Sequence, residues 1–525
     1  MSKDVLKSTA VVGLGTGLSR LLGLVREILM AVVFGTSLAK SAFDVAFRIP
    51  NLFRRLFGEG ALSAVFVPVF TEVREREGTE RANVLFGHVG TLLASALFII
   101  VSLGILILLA IENLWELGPK AAAVVPLLRI MLPYVFFLCL VGLCMGTLNS
   151  LGHFALPAMT PILLNLVWIA SLLWICPRFG TTPDEQIYGL ALGILAAGAI
   201  QLLVQFPVLT KMGIRPRLSF GLSDEKVKRM LILMGPAALG VGVHQVNVVI
   251  DGILALWVGP WAPAALTYAE RMIYLPLGII ATALGTVLLP TFSKQAASVD
   301  MEGMMRTLNA SMRNILLIMV PAAMGLIVLA RPIVQLVFTW EGGMFDASSE
   351  LYTARAMAFY GAGLVVFSLY KVMVPAFYAM QDMRTPVRVG LWAVGLNFVL
   401  NITFILTWPA GFKHAGLALA TVIASGVNCF VLGVLLHRRH GGLDWSGIGR
   451  ALLCAAFGSL GMSAIVRASH FIFRDACSSV SLHEKWVQLI SVGGAILVGM
   501  VVYALWIVVF PKAGLEPVAK KKGEK

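Results

Sequence analysis

The chain has 525 residues, 58% of them hydrophobic and 13% charged, with a formal net charge of +14 and a mean hydropathy of +0.88. Apolar runs of about 20 residues, long enough to cross a bilayer core as helix, recur throughout and leave no room for a sizeable soluble domain. Lys and Arg are spread over short loops with no aromatic-interleaved basic domain, which excludes nucleic acid as partner and fits membrane topology and attraction to anionic lipid headgroups.

The pattern predicts an all-α polytopic membrane protein of about 14 transmembrane helices. The first span covers 9–34, and no cleavable signal is expected there because the span is long and Arg-bearing. The second, near 38–72, is too long for one regular crossing and holds Pro50, Gly58, Gly60 and Pro68, so a bent or broken helix is expected. Together these spans carry Arg20, Arg26, Arg48, Arg54 and Arg55. An arginine near a helix centre costs about 2.5–3.5 kcal/mol on insertion scales, so such residues normally face a cavity and mark function.

Acids stand nearby at helical spacing. Glu27 is two turns from Arg20, Asp44 one turn before Arg48, and Glu59 one turn after Arg55. The spacing predicts that Asp44 pairs with Arg48 and Glu59 with Arg55. The acids are too few to neutralise the cluster, and an intramembrane site of net positive charge suits an anionic ligand. Arginine fits phosphate because its planar fork donates two parallel hydrogen bonds.

Further spans are predicted near 84–110, 122–150, 155–177, 186–209, 230–257, 263–292, 309–339, 351–380, 386–408, 414–437, 448–470 and 486–511. The tail VAKKKGEK is polar. Lys and Arg concentrate in alternate loops, including Arg74, Arg76, Arg81, Lys211, Arg215, Lys226, Arg229, Lys294, Arg306 and Arg438, and in the tail. The intervening loops hold few. Both termini are therefore expected in the cytoplasm, which requires an even number of spans.

An internal repeat is visible. GLALGILAAGAIQ at 189–201 matches GLALATVIASGVN at 416–428, Pro157 matches Pro386, and VPVFTE at 67–72 echoes LPTFSK at 289–294. The repeat predicts three parts: 1–220 with spans 1–6, 221–440 with spans 7–12, and 441–525 with two further spans and the basic tail. A six-span unit returns to its starting side, so the copies run parallel, as pseudo-symmetric lobes of a transporter whose site opens alternately to each side. The second copy adds the intramembrane charges Asp251, Glu270, Arg271, Arg331 and Lys371.

Enzyme signatures are missing. GLGTGLS near 13–19 lacks a phosphate-binding Lys and lies inside a span, and no HExxH or other metal spacing occurs. The six cysteines form no CxxC pair and read as small buried hydrophobes. His244 reads as a core histidine. No metal, cofactor or catalytic residue is expected.

The runs SRLLGLVRE and FRIPNLFRRLFGEGALSAVFVPVF strongly resemble the MurJ/MviN family of lipid II flippases, within the multidrug/oligosaccharidyl-lipid/polysaccharide exporter superfamily. MGPAALGVGVHQVN, YAERMIYLPLGIIATALGTVLLP and LYKVMVPAFYAMQDMRTPV continue the resemblance over essentially the whole chain. The resemblance implies two six-helix lobes with two extra C-terminal helices in the bacterial inner membrane. It implies transfer of lipid II, the undecaprenyl-diphosphate-linked peptidoglycan precursor, from the inner to the outer leaflet. It assigns the diphosphate to Arg20, Arg26, Arg54 and Arg271 with Ser19, and the other intramembrane charges, Glu27, Asp44, Arg48, Arg55, Glu59, Glu270 and Lys371, are read as supporting them. The prenyl chain would lie beside the last two spans.

Some relatives carry acids where this chain has Ser41 and Tyr274. A sodium site of some relatives maps to Asp251, Asn397, Asn401 and Thr421, with Asn401 in place of a carboxylate. Coupling to membrane potential or to a monovalent ion is an open expectation, the latter disfavoured by the missing carboxylate. No protein partner is read from the sequence, and a monomer is expected. Two alternatives stay open: a flippase for another prenyl-diphosphate-linked glycan, and a polytopic glycan-processing enzyme. Short outward loops point away from the enzyme, and the arginines point away from a drug–cation antiporter of the same architecture.

Overall fold

A computed structural model describes residues 3–58, 61–215, 217–479 and 483–510, and their side chains except those of 3–12, 57, 58, 61, 63, 64, 235–241, 243 and 244. Glu59, the tail and the side chain of His244 lie outside this set. The described residues contain no strand. In chain order the helices are α1 (Lys3–Phe34), α2 (Leu38–Phe53), a π-helical turn (Arg54–Gly58), α3 (Ala61–Glu77), α4 (Thr79–Leu114), α5 (Pro119–Met131), α6 (Tyr134–Ser150) and α7 (Ala155–Ala170). A second π-turn (Ser171–Ile175) leads into α8 (Cys176–Phe179), followed by α9 (Pro183–Lys211), α10 (Glu225–Val258) and α11 (Ala262–Pro276). A third π-turn (Leu277–Ala281) precedes α12 (Thr282–Ala297) and α13 (Met301–Val328). The rest are α14 (Ala330–Phe338), α15 (Ala347–Ala379), α16 (Arg384–Thr407), α17 (Lys413–His440), α18 (Trp445–Ser478) and α19 (Glu484–Val509).

As far as the described residues extend, each predicted span lies mainly on helix. Among the described residues ten helices are long and apolar enough to cross a membrane, or eleven if α5 and α6 count as one crossing bent by 43°. That bend was not foreseen. Pro133 lies at it, lacks an N–H and cannot continue the hydrogen-bond ladder. Large apolar side chains on α4 such as Phe98, Leu106 and Ile107 are exposed, as suits a helix facing lipid rather than water.

The chain divides into two compact units, residues 1–264 with 342–344, and 265–341 with 345–525. In the first, α1 packs on α7, α2 on α5, α6 and α7 on α9, and α10 on α2 and α3. Its core includes Phe66, Phe70, Leu85, Val141, Leu148 and Leu209. In the second, α13 packs on α15 and α18, α15 on α12 and α17, and α18 on α19. Four cysteines are buried and Cys454 and Cys477 are half-buried, all as free thiols.

Local structure repeats where the sequence does. Pro157 and Pro386 are each the third residue of their helices, α7 and α16, where the missing N–H has no intrahelical partner to lose. The turns just before them match bond for bond. Leu148 O accepts from His153 N and Asn149 O from Gly152 N; likewise Phe377 O accepts from Asp382 N and Tyr378 O from Gln381 N. Gly152 (φ +77°) and Gln381 (φ +59°) both take the left-handed conformation that closes a helix in this way. The π-turn after α2 also has a counterpart after α11, 223 positions on (277 against 54).

Candidate functional site

The arginine cluster lies in the first unit and is built by α1, α2, the first π-turn and α7. Between residues 18 and 58 there are six basic side chains and two acidic ones. Arg26 is the most closely held. Its Nη2 lies 2.6 Å from Glu27 Oε1, with 11% and 7% of the two side chains exposed. Its Nη1 donates to Asn165 Oδ1 at 2.9 Å. The guanidinium carbon sits 4.3 Å from the centroid of Trp168, a cation–π geometry.

The holders are themselves fixed. Asn165 Nδ2 donates to Ser19 O at 3.0 Å, with Ser19 Oγ at 3.5 Å. Trp168 donates from Nε1 to Met30 Sδ at 3.3 Å, and its ring meets Phe43 and Phe47 edge-on. Thus α7 presents Asn165 and Trp168 to one face of α1. Asn165 and Trp168 were missed by sequence reading, since a lone Asn and Trp in an apolar run carry no spacing signal.

The acids do not pair as spacing predicted. Asp44 belongs to Lys40, whose Nζ lies 2.6 Å and 2.5 Å from the two carboxylate oxygens. Lys40 is 1% exposed. Both partners satisfy the one-turn rule, and Lys40 is the one whose ammonium reaches. Arg48 Nη1 donates instead to the backbone carbonyl of Val248 on α10. Gly252, one turn further along α10, makes room for it: a Cβ there would come 2.8 Å from Arg48 Nη1. Glu27 pairs with adjacent Arg26 rather than with Arg20, which is exposed.

Arg54 and Arg55 ride on the π-turn, both half-buried. Arg54 Nε donates to Asn51 Oδ1 at 2.9 Å. A π-turn widens the helix by one residue and changes which way the following side chains point, a device often found at functional sites. The partner expected for Arg55, Glu59, is outside the described residues. Ser41 is fully buried, its Oγ accepting from Ala264 N at 3.3 Å.

The second unit carries the remaining residues. Arg271 on α11 is exposed and Glu270 half-buried. Tyr274 donates to Glu270 Oε1 at 2.8 Å. A carboxylate therefore lies one turn from that position. Lys371 on α15 is half-buried. Arg331 lies 3.7 Å from Glu350 with 57% of its side chain exposed, a pairing at a helix end.

The four residues considered for an ion divide between the units. Asp251, in the first, accepts from Asn247 Nδ2 at 3.2 Å. In the second, Asn401 Nδ2 donates to Asn397 Oδ1 at 3.1 Å, and Asn397 Nδ2 to Thr421 Oγ1 at 3.4 Å. Thr421 Oγ1 donates in turn to Leu417 O at 3.1 Å. The trio is neutral, and the Asn397 and Thr421 oxygens already accept from amides, so it fits a cation poorly. Among the described residues no group of three or more His, Cys, Asp or Glu could hold a metal.

Comparison with known proteins decides the family. The model of the family described as "Lipid II flippase MurJ" matches residues 30–511. The chain belongs to the lipid II flippase MurJ family. "Lipid II flippase MurJ" of Burkholderia cenocepacia is 36% identical over 433 residues, 81% of this chain and 82% of that relative. "Probable lipid II flippase MurJ" of Rhizobium tropici is 35% identical over 523 residues, 98% of this chain and 95% of the relative. Among solved structures, "Lipid II flippase MurJ, inward closed conformation" superposes with a TM-score of 0.77 at 24% identity, over 96% of this chain and 99% of the other. An inward-facing multidrug resistance MATE family transporter of the MOP superfamily shares the fold, with a TM-score of 0.66 at 15% identity over 81% of this chain and 95% of the other. The MurJ family is one of transporters and not of catalytic enzymes.

Proposed function

We propose that this protein moves lipid II, the undecaprenyl-diphosphate-linked peptidoglycan precursor, from the inner to the outer leaflet of the bacterial inner membrane. Family membership over residues 30–511 carries the reading. The many apolar helices agree with a multi-pass membrane protein. Its finer form is alternating access by two six-helix copies, with two further C-terminal spans, fourteen crossings and both termini in the cytoplasm. The matched turns at Gly152 and Gln381 support the two-copy part of that reading.

Arg20, Arg26 and Arg54, with Ser19, are assigned to the diphosphate, and Arg271 has the same role on the second copy. The physical argument is clearest for Arg26. Bonded to Glu27, its charge is balanced while no anion is near, and its five N–H donors let it keep Asn165 while turning another toward phosphate. Trp168 and Asn165 hold the guanidinium in place beforehand, which lowers the entropy lost on binding. Such a site must favour the anion differently in the two access states for transport to cycle. The membrane potential would contribute about 2.3 kcal/mol per charge per 100 mV. A monovalent ion is the weaker driver, because Asn397, Asn401 and Thr421 supply no negative charge.

The test is depletion of a resident lipid II flippase in a bacterium expressing this chain. Leaflet location of lipid II is read with an externally added lipid II-cleaving enzyme. Restored growth and external cleavage are expected. Internal accumulation despite good membrane expression would instead assign the chain to another prenyl-diphosphate-linked glycan.

A further inference from the structure

The helices α18 and α19 are both of membrane-crossing length and pack together, so the end of α18 at Ser478 and the start of α19 at Glu484 lie at a membrane–water boundary. A cavity of about 320 Å³ lies at this end, walled by α14, α18 and α19. Two polar rows and a single glutamine line it. His470, Arg474 and Ser478 follow one another at helical spacing on α18, Glu484, Gln488 and Ser491 do so on α19, and Gln335 closes the side formed by α14. The walls are fastened: Lys485 Nζ donates to the carbonyls of Gln335 and Leu336 at 3.0 and 3.1 Å, tying the last turn of α14 to the first of α19.

Two features of this lining call for a ligand. His470 is 8% exposed, and its Nδ1 is buried with no hydrogen-bond partner among the described residues. With the ring proton assigned to Nε2, Nδ1 is an acceptor, and a buried acceptor is costly unless a donor reaches it. The cavity also holds one group of each fixed charge, Arg474 and Glu484, both exposed toward it. A plain anion would meet Glu484 as a like charge.

Outside the polar rows the surface turns apolar. Phe471, Ile472, Trp486 and Leu489 are exposed on the same two helices, with Trp486 where an interfacial aromatic anchors a span. We propose that the cavity holds the headgroup of a membrane phospholipid bearing both a phosphodiester and a terminal ammonium. The Arg474 fork takes the phosphate oxygens, and Glu484 takes the ammonium N–H groups. The acyl chains lie along Phe471, Ile472, Trp486 and Leu489. This lipid is a resident of the fold, separate from the transported molecule, and it joins α14, α18 and α19 at one interface.

The test uses the full chain, purified in mild detergent and equilibrated with equimolar phosphatidylethanolamine and phosphatidylglycerol, with retained lipid measured by mass spectrometry. The ethanolamine lipid should be retained about tenfold over the glycerol lipid, the value of one well-made charge-assisted contact. Glu484→Gln should erase that preference while phospholipid is still retained, and Arg474→Ala should lower retention of both lipids. Arg76→Ala, far along the chain and exposed, should change nothing. Inorganic phosphate should not displace the lipid. Equal retention of the two lipids by the native protein, displacement by inorganic phosphate, or unchanged selectivity in Glu484→Gln would each overturn the assignment. Glu484→Gln preserves size and removes only the charge of one exposed side chain, so it keeps the test decisive even if Arg474→Ala fails to fold.

Discussion

Asn165 on α7 accepts a 2.9 Å hydrogen bond from Arg26 on α1, across 139 positions of sequence. The contact orients a guanidinium that also leans on Trp168 and pairs with Glu27. Arg26→Ala is expected to abolish flipping without preventing membrane insertion. Asn165→Ala keeps the charge but frees its direction. Losing a hydrogen bond to a charged group costs about 1.5–3 kcal/mol, so transport should fall about ten- to hundredfold. Arg26→Lys should do little better, because an ammonium cannot hold Glu27 and Asn165 with a planar fork while stacking on Trp168. External lipid II cleavage, normalised to membrane level, reads all three. Full activity in Asn165→Ala would remove the positioning role.

Lys40 and Asp44 form a second ion pair, within α2. Lys40 is 1% exposed, and both carboxylate oxygens of Asp44 receive its ammonium. Removing one partner strands a buried charge, which costs about 3–5 kcal/mol, whereas replacing both by apolar groups is often neutral. Lys40→Met should therefore lower thermal stability in detergent sharply, and Lys40→Met with Asp44→Leu should recover most of it. Equal stability of the single and double variants would show that the pair is not coupled.

These two clusters mark how far sequence could reach. Helix positions were legible because apolar runs of spanning length admit one solution in lipid, and the repeat was legible because Pro157 and Pro386 punctuate matching turns. The arginines could be singled out because charge in a span is rare. Their partners could not. Asp44 has a base one turn away on either side, Lys40 and Arg48, and helical spacing alone does not choose between them. Asn165 and Trp168 come from a helix more than a hundred residues away and look like ordinary residues of an apolar span. The π-turns were also invisible, since one extra residue per turn leaves no compositional trace, although Pro50 and Pro276 stand near two of them.

Gly35 and Met344 make a contact whose tolerance is close to zero. Gly35 ends α1 with φ at +53°, and a Cβ there would lie 2.3 Å from Met344 O. The loop at 342–344 is seated on the same helix end, Met344 N donating to Val32 O at 2.8 Å. Gly35→Ala combines about 1–2 kcal/mol of left-handed strain with a backbone collision that cannot be relieved by a rotamer. A lower melting temperature is expected, with greater protease access at 342–344. Gly78→Ala provides the comparison, since its φ is +89° but nothing lies within 4 Å of its Cβ position. It should lose only the strain.

Asp224 gives stability a defined dependence on pH outside the membrane. Burial alone would raise its carboxyl, but the N–H of Lys226 and the side chains of Arg81 and His88 outweigh this and hold it below the ordinary value of 3.8. Arg81 Nη2 lies 2.8 Å and His88 Nδ1 3.1 Å from the same oxygen, so the carboxylate fastens the start of α10 to α4. A group whose folded pKa is depressed contributes stability above its unfolded pKa and loses it as pH falls through the folded one. The advantage of the native protein over Asp224→Asn should thus be constant between about pH 5 and pH 7, within the range where an ordinary carboxyl is ionised in both folded and unfolded chains. It should shrink only below the ordinary carboxyl value, as Asp224 takes up its proton. Thermal unfolding of both proteins across that range measures the difference directly. A gap that closed already near pH 6 would overturn the depressed carboxyl of Asp224.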